Sequence, residues 1–452
     1  MIFSLRQLQE KCREQDKPLY MMFIDLTKAF DLVSRKGLFA LLARIGCPPK
    51  LLDMIVSFHA DMRGTVLFDG SLSDSFPIKS GVKQGCVLAP TLFGIFFSLL
   101  LSYAFDTSTD GVYLHTRTDG KLFNLARLRS KTKRRTVLIR EMLFADDAAL
   151  VAHTESGLQR LSDRFADACK HFGLTVSLKK TNVSSQNTPT PPFITIDGVT
   201  IEAVSNFTYL GSTINDNLSL ETEIDRRIGK ANSIMAKLTQ RVWENKALTV
   251  HTKCRVYQAC VLSTLLYGSE AWTIYSRQER RLNTFHMRCL KRLLKIEWQD
   301  HITNQQILER AKIPSLHALL SQRRLRWLGH VWRMDDGRLP KDILYGQLTQ
   351  GTRRVGRPFL RFKDVCKRDM KACNITTDTW EANAKDRDSW RNTVIQGIAE
   401  ADQERFRQAE AKRDRRKLAS VSELPPSLFS CPQCNRDCHS KIGLYSHNKR
   451  CR

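Results

Sequence analysis

Acidic residues are in short supply in this chain. Its 452 residues hold 46 Asp and Glu against 72 Lys and Arg, a formal net charge of +26. A balance of that sign argues against cationic partners and points to a polyanion. The deficit is uneven. Residues 1–220 carry 26 basic and 21 acidic side chains, whereas residues 221–452 carry 46 and 25, so most of the excess lies in the second half. Nucleic acid is the expected partner there; a membrane surface is the alternative, and no lipidation motif supports it. No secretory leader is expected either, because the opening Met1-Ile2-Phe3-Ser4-Leu5-Arg6 is far too short for one. An intracellular protein with reduced thiols is therefore expected. No internal repeat is present. Charge is absent from Val87 to Phe105, a length near that of a spanning helix. Pro90 near its start suits a helix N-terminus, and a buried core helix is the preferred reading over a membrane span.

What is present begins with carboxylates. An apolar segment runs into Asp146-Asp147 and another runs straight out, predicting a hairpin with two acids at its tip. Adjacent carboxylates raise each other's pKa, and a divalent cation relieves that cost. A solvated Asp-Asp turn is the plain alternative. Leu19-Tyr20-Met21-Met22-Phe23-Ile24 is a short apolar run ending on Asp25, the pattern of a buried strand that delivers an acid to its end. Such an acid needs a metal, a basic partner or water.

Phe23-Ile24-Asp25-Leu26-Thr27-Lys28-Ala29-Phe30-Asp31 resembles the first catalytic motif of reverse transcriptases from non-LTR (LINE-type) retrotransposons. Ser80-Gly81-Val82-Lys83-Gln84-Gly85-Cys86-Val87-Leu88-Ala89-Pro90 resembles the second, and Phe144-Ala145-Asp146-Asp147 the third. Gly173 to Ser177 with Lys180-Thr181 resembles the fourth, and Asn206 to Ser212 the primer grip. The five motifs stand in the family's order. The resemblance implies that Asp25 and Asp146 hold two Mg2+ ions, with Asp147 close by and the Leu26 carbonyl an added ligand. It further implies that Phe30 stacks under the sugar and excludes a 2′-hydroxyl, that Gln84 and Gly85 position nucleotide and template, and that Lys180 approaches the triphosphate. Tyr209, Leu210 and Gly211 would support the primer terminus. RNA template, DNA primer or target, and deoxynucleoside triphosphates are the implied partners, with the protein in nucleus or cytoplasm as a ribonucleoprotein.

The 13 cysteines divide in two groups. Nine are scattered and read as apolar fillers. The others fall in the last 22 residues, where Cys431-x2-Cys434-x12-His447-x3-Cys451 has zinc-ligand spacing. Leu444 takes the usual leucine position of a finger. Cys438 stands where phenylalanine is usual, so Cys438 or His439 is a competing ligand.

Between these ends the chain reads as helical. Glu221 to Val242 has helical apolar spacing, and its Arg226, Arg227, Lys230 and Lys237 either face a primer–template backbone, as the resemblance would have it, or form a solvated basic face. Arg280 to Lys295 repeats the pattern. Arg323 to Trp332 mixes guanidinium and indole groups, a composition that stacks bases, although such tryptophans are more often core. Lys121 to Arg135 is a basic patch expected beside the nucleic-acid cleft. Gly351 to Pro358 reads as a basic loop and Glu404 to Lys417 as a charged helix.

The expected fold is α+β. It comprises a reverse-transcriptase palm over residues 1–220, a thumb-like helical region over 221–300, a basic helical region over 301–418, a linker over 419–430 and a zinc finger over 431–452. Only a helix, Leu5 to Gln15, is expected before Asp25, so the family's fingers would be largely missing and activity would fall for want of a lid. Two functions follow. The first is RNA-directed DNA polymerisation by two-metal nucleotidyl transfer. The second is a catalytically weak derivative that binds nucleic acid through its basic helices and finger.

Overall fold

A computed structural model describes residues 1–451 except 131, 352, 354, 355, 357, 358, 422–428, 439 and 450. The fold is mixed α+β. The apolar run Leu19–Ile24 is the central strand of a five-stranded sheet. It lies between Asp147–Ala152 and Asn182–Gln186, both antiparallel to it. Glu141–Phe144 flanks the first, and Glu202–Ala203 lies parallel to the second.

The central strand is apolar throughout because both of its faces are covered. Met22 and Ile24 point into a core formed with the helices Ala89–Phe105 and Glu155–His171, through Phe93, Phe97, Leu161 and Phe165. Leu19, Met21 and Phe23 point the other way, onto Leu5, Leu8 and Cys12 of the N-terminal helix Ile2–Glu14. That same core takes in Ile343 and Leu348 from far along the chain. The charge-free run is thus a core helix, and no helix of the described residues is long and apolar enough to cross a membrane.

A second core joins the helices Glu221–Lys237, Ser276–Leu294 and Asn304–Ala311. A third joins Leu316–Arg333, Phe362–Ala372 and Arg387–Val421. Trp380 and Trp390 are fully buried in the third core, and Trp327 packs edge-on against Phe3 at 5.5 Å. The tryptophans at 327 and 332 are partly buried against that core. The charged helix expected to end at Lys417 is the last part of Arg387–Val421, and it enters the segment expected to be linker. Residues 422–428 of that linker, and most of the loop Gly351 to Pro358, lie outside the described residues.

Packing engages cations from two of the expected basic patches. In the patch before the hairpin, Arg127 is buried and donates to the carbonyls of Lys121, Arg117 and Tyr345, with the Tyr345 contact at 2.6 Å. Arg135 clasps the carboxylate of Asp342 at 2.6 Å. Arg127 and Arg135 thus dock a C-terminal segment, whereas Arg129, Lys133 and Arg134 are exposed. On the helix Glu221–Lys237, Arg227 is buried against Glu223 at 2.8 Å, which removes it from any external partner. Lys230 and Lys237 remain exposed.

Candidate nucleotidyl-transfer site

Sheet register assembles the carboxylates. Ile24 pairs with Ala148, so the next step along both strands brings Asp25 beside Asp147. Glu141–Phe144 and Asp147–Ala152 form a hairpin closed by Ala145 and Asp146. Ala145 has φ +54°, the left-handed conformation that two-residue hairpin turns demand and that an L-residue adopts at a cost of about 1 kcal/mol. Asp146 and Asp147 are half-buried at the tip. Burial raises the pKa of Asp147, and the charges of Asp146 and Asp25 raise it further.

The loop after residue 172 completes the wall. Leu26 bridges Val176, with Thr27 N–H donating to Thr175 O at 2.9 Å and Ser177 N–H to Asp25 O at 2.8 Å. Neither bond uses the Leu26 carbonyl. Lys180 is exposed, and its ammonium lies 3.3 Å from Oδ2 of Asp25. That oxygen is buried and has no hydrogen bond, so the contact is ionic and imperfectly aligned. An acid-rich tip with a carboxylate oxygen that no hydrogen bond satisfies is a donor set that fits a hard divalent cation.

Phe30 stacks on Phe93 at 4.3 Å, fixed as a floor by the core beneath. Gln84 is exposed. Gly85 has φ +93° and nothing within 4 Å of where a Cβ would stand, so the backbone there faces open space. The residue held by close approach is Gly81. Its Cβ would stand 2.7 Å from the Asp31 backbone, and Val82 N–H donates to Phe30 O at 2.9 Å. Arg35 clamps the same loop by donating to the carbonyls of Gly81, Ser80, Ile78 and His59 at 2.9–3.1 Å. The sequence reading missed Arg35, and nothing local in the sequence marks it.

Tyr209, Leu210 and Gly211 lie where the strands Asn206–Tyr209 and Ser212–Asn215 turn. Leu210 and Gly211 have φ +48° and +76°. Tyr209 is buried, bonds Met142 O at 3.3 Å, and has its hydroxyl pKa pushed up by burial and by Asp147. Tyr267 donates to Leu210 O at 2.9 Å, and Arg227 donates to Gly211 O. Glu223 accepts from Thr213 N–H at 2.7 Å and from Ser212 Oγ at 3.1 Å, and Arg6 donates to Thr213 O at 2.8 Å. The turn is thus tied to the helix Glu221–Lys237 and to the N-terminal helix.

At the other end of the chain, a hairpin of Phe429–Ser430 with Asp437–Cys438 packs on the helix Lys441–Asn448. The ligand atoms of Cys431, Cys434, His447 and Cys451 all lie within 4.8 Å of one another, a Cys3His group that fits a metal ion. Cys434 Sγ is 3.0 Å from His447 Nε2. Burial opposes the Cys431 thiolate, yet the backbone N–H groups of Gln433 and Cys434 and the neighbouring thiols bring its pKa down to about 6. Cys438 is buried and stands apart from this group. His439 lies outside the described residues.

Residues 2–214 match the family model for reverse transcriptase (RNA-dependent DNA polymerase). An uncharacterized transposon-derived protein of Caenorhabditis elegans is 27% identical over 56% of this chain and 95% of its own length. The RNA-directed DNA polymerase from mobile element jockey of Drosophila melanogaster is 25% identical over 65% of this chain. The match spans 30% of that polymerase, so this chain corresponds to about a third of it. A telomerase from Candida tropicalis aligns over 76% of this chain and 51% of its own at a TM-score of 0.34 and 14% identity, too distant to carry an argument. Over residues 2–214 the chain is thus similar to reverse transcriptases, and its relatives include RNA-directed DNA polymerases of mobile elements.

Proposed function

We propose that this chain performs RNA-directed DNA synthesis by nucleotidyl transfer at Asp25, Asp146 and Asp147, on an RNA template and a DNA primer or target with deoxynucleoside triphosphates. The observation that carries the reading is the register that sets Asp25 against the hairpin acids, with an Asp25 oxygen that no hydrogen bond satisfies and an Asp147 destabilised in its charged form. Asp25 and Asp146 would hold Mg2+, with Asp147 and the Leu26 carbonyl alongside. When bound, Mg2+ supplies the charge neutralisation and alignment of an in-line phosphoryl displacement.

The remaining steps belong to the chain's own groups. Among the described residues the Lys180 ammonium is tethered only to Asp25, and it can turn to the triphosphate, where a cation offsets developing charge. Phe30, backed by Phe93, forms an unyielding floor under the sugar and rejects a 2′-hydroxyl by bulk. Gln84 and Gly85 offer an exposed amide and an uncrowded backbone to nucleotide and template. Tyr209, Leu210 and Gly211 hold the primer end from a turn that the helices keep in place.

The palm is assigned to residues 1–220, the thumb to 221–300, the basic helical region to 301–418, the linker to 419–430 and a zinc finger to 431–452. Cys431, Cys434, His447 and Cys451 would bind Zn2+, whose binding free energy would fold so short a module. A ribonucleoprotein in nucleus or cytoplasm follows from such partners. Primer extension on an RNA template with Mg2+ tests the activity against Asp146→Ala. Synthesis by the native chain alone is expected; equal background from both leaves only a nucleic-acid-binding derivative.

A further inference from the structure

The helices Leu316–Arg333 and Arg387–Val421 touch where Gly329 admits the Trp390 indole; a Cβ at 329 would lie 2.3 Å from Trp390 Nε1. Beside that contact they open into a cavity of about 700 Å³. Its lining includes Arg323, Arg326, Arg333, Arg387, Arg391 and the ring of Trp327. Glu270 is the single acid among the described lining residues, which together carry a net charge of about +4.

These cations are held together at a cost. Burial lowers the pKa of Arg323 and Arg333, and each is lowered again by a neighbour, Arg326 and Arg387 respectively. The His330 ring in the same wall has its pKa lowered by partial burial, Arg333 and Arg387. Only Arg323 and Arg333 are anchored, to the carbonyls of Leu266 at 3.0 Å and Ala384 at 2.7 Å. Arg326, Arg387 and Arg391 are exposed and have no hydrogen bond or ion pair among the described residues. Trp327 Nε1 is buried without an acceptor. Three unengaged guanidinium groups beside an indole and an imidazole suit spaced phosphates and stacked bases.

We propose that this cavity binds the phosphodiester backbone of single-stranded nucleic acid, at a site that shares no residue with the palm carboxylates. The proposal stands whether or not the chain polymerises. It is tested on the full zinc-loaded chain without Mg2+ or nucleotides, by fluorescence anisotropy of a labelled twelve-nucleotide oligouridylate over a salt series. Arg326→Gln with Arg391→Gln is compared with Lys412→Gln and Arg416→Gln, an exposed pair on the same helix Arg387–Val421 but outside the cavity. Each lost phosphate contact to a single strand flattens the slope of log K against log salt by about 0.7. The cavity pair should therefore lose about 1.4 in slope and bind about 14-fold more weakly at 0.15 M salt. The control pair should keep the native slope. Equal losses from both pairs would overturn the proposal in favour of diffuse charge. Displacement of the oligonucleotide by uridine monophosphate at equal phosphate concentration would reassign the cavity to free nucleotides. Equally effective displacement by polyglutamate would reassign it to an acidic protein.

Discussion

Replacing Glu223 by Gln removes one charge from the clamp behind the Tyr209-Leu210-Gly211 turn. The side chain of Glu223 is 0% exposed and that of Arg227 5%, with 2.8 Å between them. Glutamine keeps an acceptor for the Thr213 N–H but leaves Arg227 without its counter-charge. Arg6 suffers too, because burial already brings its guanidinium down to about 10 and the charge of Glu223 is what supports it. Removing one partner of a buried pair costs about 3–5 kcal/mol, since the other charge stays desolvated. At about 1.4 kcal/mol per tenfold, the lower figure raises local opening by about a hundredfold. Amides of Ser212–Asn215 should exchange faster by that factor in hydrogen-exchange mass spectrometry, while Leu19–Ile24 at the sheet centre stays protected. Adding Arg227→Met removes the stranded charge and should recover at least half of the loss. A change below about threefold in the single variant, or a double variant worse than either single one, would refute the electrostatic account.

Asp147 and the finger give two further expectations. Burial, then Asp146 and Asp25, raise the folded-state pKa of Asp147. The folded chain therefore holds that proton more tightly than the unfolded chain, and the group costs stability above its folded pKa, a cost that fades as pH falls into the ordinary carboxylate range. In metal-free protein, Asp147→Asn should raise the thermal midpoint at pH 7, by less as pH is lowered, and Mg2+ should stabilise the native chain more than the variant; a lower midpoint at pH 7 would contradict this. Zinc analysis should give one ion per chain, lost in Cys434→Ser and kept in Cys438→Ser, because Cys438 stands apart from the Cys3His group; loss from both would move the ligand set.

Much of the site was legible because it rests on local patterns. An unbroken apolar run ending on Asp25 can only be a strand covered on both faces, and the alternation of Met22 and Ile24 against Met21 and Phe23 shows the two coverings. Two apolar runs flanking Asp146-Asp147 define a hairpin, and ligand spacing defines the Cys431–Cys451 cluster. Gly85 keeps an uncrowded backbone, and the glycine crowded within the fold is Gly81, four residues earlier in the same motif. The motif marks a glycine-dependent loop but not that the backbone of Phe30 and Asp31 packs against it.

Sequence by itself determined the strands, the hairpin acids, the helical periodicities and the finger spacing, since each depends on residues within a few positions of one another. Tertiary structure alone decided what the cations do. Arg127 bonds Tyr345, Arg227 serves Glu223 beneath the turn, and Arg324 is buried on Asp369 at 2.7 Å, while Arg326, Arg387 and Arg391 converge around one cavity. Periodicity places a basic residue on a helix face, but only the element packed opposite decides whether that charge meets a carboxylate, a carbonyl or open solvent.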